Sequence, residues 1–188
     1  AYTRLTGKLA TICVTSGPGG TNAITGVLGG WLDSIPMFVI SGQVKRETTI
    51  HATNLPLRQL GDQEFDIVSS ISSMTKYAQI IMDPKEIRYH LEKAYFLCLN
   101  GRGGPVWLDI PLDVQAAIVD TDELTPFDEQ VELWETENPV YDTSLSASIL
   151  DRIKSAQRPV ILAGTGIRLA KAREEFLKLV EKLQIPVV

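Results

Sequence analysis

The chain is poor in the residues that usually announce a site. Its 188 residues hold two cysteines and two histidines, too few for a disulfide framework or a Cys/His metal centre. Cys13 and Cys98 both stand in apolar surroundings and read as small core residues of a reducing compartment. Neither histidine has a partner at metal-ligand spacing. His90 reads as a boundary or surface side chain, and His51 as a loop residue able to approach a ligand. Basic runs are lacking, and a net charge of −5 argues against nucleic acid as a partner. There is no run of 18 apolar residues and no secretory leader, so a soluble cytoplasmic protein without a membrane partner is expected. No Ser-His-Asp arrangement or privileged carboxylate pair stands out. What remains is 44% apolar and 22% charged residues, enough for one ordinary domain or for one plus part of another.

Apolar segments alternate with helical ones. AYTRLTGK reads as a helix end with a Gly stop, and residues 9–14 as a buried strand. A helix capped at Thr21 or Asn22 runs to about Trp31 or Leu32. PMFVISG from Pro36 is a second strand. From Gln43 to Asp62 the chain is polar and without period, a long loop of the functional kind. Glu64 to Ser73 is a short helix and KYAQII a strand. Ile87, Leu91, Ala94, Tyr95 and Cys98 form the inward face of a helix over 84–99. VWLDI is a strand ending at Pro111. The order predicts an α/β fold with a mostly parallel sheet covered by helices on both faces.

Nine acidic residues and no basic one fall between Asp120 and Asp142, the composition of a solvated linker stiffened by Pro126 and Pro139. After it, Ile149, Leu150 and Ile153 mark a helix and RPVILAG a strand. Leu169, Phe176, Leu177, Val180 and Leu183 line a second helix, and IPVV is a further strand. This is the start of a second, Rossmann-like α/β domain, as in a segment of a longer chain.

Two glycine turns follow strands. GTGI, from Gly164 to Ile167, sits where a phosphate-binding turn would, but it lacks the third glycine of the dinucleotide fingerprint. A tight turn explains it equally. TSGPGGTN, residues 15–22, removes Cβ atoms where helix N–H groups are free, and Pro18 stiffens it. It is either a capped turn or a surface shaped for close approach of a ligand. Gln43, Asp62, Gln63 and Glu64 also follow core elements, and in a parallel sheet such positions converge on one edge.

Taken in order, AYTRLTGKLATICVTSGPGGTN, DSIPMFVISGQV, QEFDI, MTKYA and GRGGPVWLDIPLDVQ resemble the thiamine diphosphate-dependent enzymes of the acetolactate synthase group, through residues 1–118 and more weakly to 188. The resemblance implies a partial pyrimidine-binding domain over 1–118, a linker over 119–145 and the beginning of the central domain over 146–188. It implies thiamine diphosphate and Mg²⁺, bound between subunits of a homodimer or tetramer, and decarboxylation or carboligation of a 2-oxo acid or diketone. The catalytic glutamate is expected upstream of Ala1, and the Mg²⁺-diphosphate motif in a third domain beyond residue 188, so this stretch alone is expected to be inactive. Thr15, Ser16, Gly17, Pro18, Gly19 and Asn22 are implied to support the aminopyrimidine ring. Gln63 is implied to reach cofactor and substrate, and Gln43, Lys45 and Leu112 to line the substrate channel. Some members also carry FAD, for which Arg102, Gly164 and Gly166 are the matching contacts.

The departures concern substrate. Asp62 stands where acetolactate synthases have phenylalanine, Lys45 where they have proline, and Leu112 where they have a channel lysine. The loop from Gln43 to Gln63 is longer than theirs. Acetolactate synthase proper is therefore the second reading. A nucleotide-binding module built on GTGI and a non-catalytic relative remain open.

Overall fold

Four short apolar segments pair in parallel: β1 (Ala10–Val14), β2 (Met37–Gln43), β3 (Tyr77–Ile80) and β4 (Pro105–Pro111), in the order β1-β2-β4-β3. Register aligns Ile12 with Val39, and Val39 and Ala78 with Trp107. These come from a computed structural model that describes residues 1–130 and 143–188. The chain divides into two compact units, Ala1–Leu133 and Trp134–Val188.

Side chains alternate across the strands, and each face of the sheet has its own core. Helices α1 (Tyr2–Thr6), α2 (Pro18–Leu32), α3 (Ile67–Ile71), α4 (Ile87–Leu99) and α5 (Leu112–Gln115) complete the first unit. On one face Val27 of α2 and Ile67 and Ile71 of α3 pack on Val39 and Trp107. On the other, Ala94 and Cys98 of α4 pack on Phe38, Val106 and Leu108. Burying each large side chain contributes about 1.5–3 kcal/mol. The parallel, doubly covered sheet is the one the sequence predicts.

Several local expectations are corrected. Helix α2 starts at Pro18 and not after Thr21, because proline at the first helical position has the helical φ built in; the Thr21 hydroxyl instead donates to the Pro18 carbonyl at 3.2 Å. Cys13 is exposed: it lies on edge strand β1, on the side that α4 leaves uncovered. His90 is buried, since the Tyr77 hydroxyl meets its Nδ1 at 2.6 Å and satisfies it inside. The inward stripe of α4 is His90, Ala94 and Cys98, which leaves Leu91 and Tyr95 exposed. Tyr95 is over half exposed.

Phe127 packs its ring against Tyr89 and Phe96 of α4, and Glu92 accepts its backbone N–H at 2.9 Å. The start of the acidic segment is thus anchored on α4 and not wholly solvated. Residues 131–142, including Pro139, lie outside the described residues.

Among the described residues of the second unit, α6 (Thr143–Ser155), α7 (Gly166–Leu169) and α8 (Arg173–Leu183) accompany a single parallel bridge, Ile161 to Val187. The two expected strands are reduced to that bridge. Phe176, Val180 and Leu183 are half-buried, whereas Leu169 and Leu177 are exposed. A second α/β domain begins here.

Candidate active site

Parallel strands carry their carboxyl ends to one edge, and the loops leaving them enclose a cleft there. The ends of β1, β2 and β4 line a cleft of about 690 Å³ whose polar groups include Thr15, Ser16, Ser41, Gln43 and Gln115. Val14, Ile40, Ile110 and Leu112 supply its apolar wall. None of its lining residues is charged. Such a surface suits a neutral heteroaromatic ring with polar groups at its rim.

The glycine turn forms one side. Gly17 is the N-cap of α2 with φ 51°, and no side chain caps that end. A Cβ on Gly17 would run into the carbonyl of Gln63. One on Gly19 would meet Thr15 Cγ2 at 2.6 Å. Gln63 itself is left-handed, φ 56°, a conformation costly for a residue with a Cβ. Gly17 therefore lets two loops lie against each other beside Ser16, Gly19 lets the turn fold on its own Thr15, and Gln63 is held by main-chain packing.

Beneath the cleft runs a buried polar chain. Trp107 Nε1 donates to Ser41 Oγ at 2.8 Å, and Ser41 Oγ donates to Asp109 Oδ1 at 2.5 Å. Gln43 Nε2 donates to Asp109 Oδ2 at 2.9 Å and to the Phe65 carbonyl at 3.0 Å, while its Oε1 accepts from Val44 N–H. Asp109 is 2% exposed. Burial pushes its carboxyl up to about 6, against the lowering effect of the Ser41 and Gln43 hydrogen bonds.

The long loop after β2 is ordered by charge. The Glu64 carboxylate accepts the N–H groups of Ile50 at 2.5 Å, Leu60 at 2.8 Å and Gly61 at 3.2 Å. Arg46 is held by Asp113, Nε to Oδ2 at 2.6 Å, and donates to the Met82 carbonyl. His51, Glu64 and Asp66 line a narrow cavity against Asp109.

Of the residues singled out from sequence, Thr15, Ser16, Gln43 and Leu112 share the cleft, and Gly17 meets Gln63. Gln43 is buried with its amide engaged internally. Pro18 and Asn22 are exposed on the first turn of α2, and Lys45 is exposed outside the lining. Arg102 is elsewhere: it precedes β4 at the amino edge of the sheet, donates to Ser34 Oγ at 2.6 Å, and lines a pocket with Trp31 and Lys76. Gly164 and Gly166 belong to the second unit, and a Cβ on either would meet nothing within 4 Å. Ser41, Trp107 and Asp109 escaped sequence reasoning. The available signal was an acid within the apolar strand VWLDI.

Residues 1–70 match the family described as thiamine pyrophosphate enzyme, N-terminal TPP binding domain, and residues 146–188 match thiamine pyrophosphate enzyme, central domain. The chain carries a thiamine pyrophosphate-binding N-terminal domain and the start of the central domain of that family. It is homologous to acetolactate synthase large subunits. That of Lactococcus lactis is 34% identical over 187 residues, covering 100% of this chain and 31% of the relative. That of Buchnera aphidicola from Acyrthosiphon pisum is 35% identical over 188 residues, 99% of this chain and 31% of the relative. The probable large subunit of Methanococcus aeolicus is 37% identical over 192 residues, 99% and 30%. The chain thus spans under a third of the length of these relatives.

Thiamine pyrophosphate (thiamine diphosphate) has a neutral pyrimidine half and an anionic diphosphate half. The uncharged cleft fits the first. Among the described residues no group of three or more His, Cys, Asp or Glu could hold a metal, and the cleft's lining offers a diphosphate no cation. Also among them, no helix is long and apolar enough to cross a membrane.

Proposed function

We propose that this chain forms the pyrimidine-side wall of a thiamine diphosphate-dependent decarboxylase or carboligase acting on a 2-oxo acid or diketone. The convergence of Thr15 and Ser16 of the glycine turn with the β2 and β4 exits on one uncharged cleft supports it most directly. Bound there, the cofactor supplies a stabilised carbanion equivalent at its thiazolium ring. In this reading Thr15 and Ser16 offer hydroxyls to the ring's polar edge, and Val14, Ile40 and Ile110 exclude water from its face. Gln63, exposed beside Gly17, turns its amide toward the reacting groups. Mg²⁺ and the diphosphate are held by residues outside the described ones, in a homo-oligomer whose neighbouring subunit closes the site.

A carboxylate substrate needs a cation, and the cleft's own lining has none. Leu112, 54% exposed at the start of α5, stands in its mouth. Of the two substrate classes a diketone, which carries no carboxylate, is therefore favoured over pyruvate and other 2-oxo acids. Acetolactate synthesis is the second reading, carried by the relatives' names. FAD enters the proposal through Arg102, Gly164 and Gly166 alone.

The test is to assay the full-length protein with thiamine diphosphate and Mg²⁺ for CO₂ release from a panel of 2-oxo acids and for cleavage of cyclic and linear diketones. Cofactor-dependent turnover of at least one is expected. Failure to bind thiamine diphosphate would end the reading.

A further inference from the structure

The buried chain from Trp107 to Phe65 has only one consistent order of donors and acceptors. Trp107 Nε1 can only donate, so Ser41 Oγ accepts from it and directs its own hydrogen to Asp109 Oδ1. The ionised carboxylate only accepts, so the Gln43 amide presents Nε2 to Oδ2. Its second Nε2 hydrogen goes to the Phe65 carbonyl and its Oε1 takes the Val44 N–H. Flipping this amide would place oxygen against two acceptors and nitrogen against a donor. No buried side-chain nitrogen or oxygen among the described residues lacks a partner.

A carboxylate is a costly element for such a position. Replacing buried charge by apolar groups is often neutral or stabilising. What this carboxylate supplies is a fixed acceptor in β4, the strand paired with β2, for an amide at the end of β2. The amide in turn holds Phe65, two residues from the left-handed Gln63 that packs on Gly17. We propose that Asp109 is a positioning residue: through the Gln43 amide it holds the Phe65 carbonyl, and with it the Gln63 turn that packs on Gly17, next to the cleft-lining Ser16. That this cleft serves thiamine diphosphate rests on the function proposed above; the mechanical link does not.

The link has a signature. The 49–66 loop covers Asp109, with Thr49, His51, Glu64, Phe65 and Asp66 lining the narrow cavity against it. Opening the loop admits water to the carboxylate and returns it from about 6 toward 3.8. The closed state therefore binds the proton more tightly, and opening becomes easier as pH rises. Asp66 raises the Asp109 carboxyl further and His51 opposes this, so the neutral isostere Asp109→Asn is needed to separate its contribution from those of His51, Glu64 and Asp66.

The experiment is amide hydrogen exchange of segment 60–66 in the full-length protein at pH 5 and pH 7, corrected for intrinsic rates, in wild type and Asp109→Asn. In wild type the opening equilibrium should rise about tenfold over that interval, and in Asp109→Asn this pH dependence should vanish. Equal pH dependence in both overturns the proposal. If Asp109→Asn fails to fold, Ser41→Ala carries the test: loss of a donor to Oδ1 raises the carboxyl further and moves the wild-type transition to higher pH, and an unmoved transition overturns the link. A coupled loop in a protein that binds no thiamine diphosphate supports the link and removes only the functional reading.

Discussion

Gly17 and Gln63 both hold positive-φ backbone, 51° and 56°, and a Cβ on the first would strike the carbonyl of the second. The turn after β1 and the turn before α3 are thereby locked edge to edge, next to the cleft-lining Ser16. This contact accounts for the first glycine of TSGPGGTN without any ligand. The ligand-facing work falls to the hydroxyls and apolar wall beside it.

Gly17→Ala combines an unfavourable φ with a main-chain clash and should destabilise by about 2 kcal/mol or more. Gly29→Ala, in the same helix, should stabilise by roughly 0.5–1 kcal/mol, because the added methyl meets nothing and helix propensity improves. Urea denaturation of both variants measures the contrast. Equal effects would contradict the packing of Gly17 on Gln63.

For Gln63 the informative substitution is Gln63→Gly. It removes the amide while relieving the left-handed conformation, so stability should hold or rise by up to about 1 kcal/mol. On the full-length enzyme's substrate kcat/KM should nevertheless fall about a hundredfold, as for loss of a hydrogen bond to developing charge. A variant with wild-type kcat/KM would leave Gln63 a surface residue.

Global stability should carry the mark of Asp109. Its folded carboxyl lies near 6, above the ordinary 3.8. Its favourable contribution is therefore present below about pH 4 and lost as pH rises through 6, a change of roughly 3 kcal/mol. Asp109→Asn lacks this change. The stability difference between wild type and variant should shift toward the variant between pH 4 and pH 7.5, as read from denaturation midpoints.

Leu112→Lys in the full-length enzyme should raise kcat/KM for pyruvate ten- to a hundredfold, the value of one charged hydrogen bond at about 1.5–3 kcal/mol. Acetolactate formation is the measurement. Efficient synthesis by wild type, with Leu112 in place, would favour the acetolactate synthase reading.

A flavin would show as visible absorbance in the purified full-length protein, and Arg102→Ala should lower its occupancy at least fivefold. A colourless preparation that takes up no added FAD would remove FAD from the proposal.

The sheet was legible in the sequence because its strands are apolar and its turns are punctuated by glycine and proline, both local properties. The same locality explains the corrections. Whether Cys13 is covered depends on which side of β1 a helix reaches, and the burial of His90 depends on Tyr77 being across from it. Periodicity could place both residues on a face but could not supply the partner. The sequence by itself determined the family, the glycine turn and the strand exits that carry Thr15, Gln43 and Leu112, since motif order and strand polarity are written along the chain. Only the tertiary structure decided that Gly17 is claimed by Gln63, that Arg102 lies at the other edge of the sheet, and that Asp109 is wired to Phe65 through Gln43. Those relationships join residues 22 to 68 positions apart, and hydrogen-bond direction and steric contact exist only once the strands are in register.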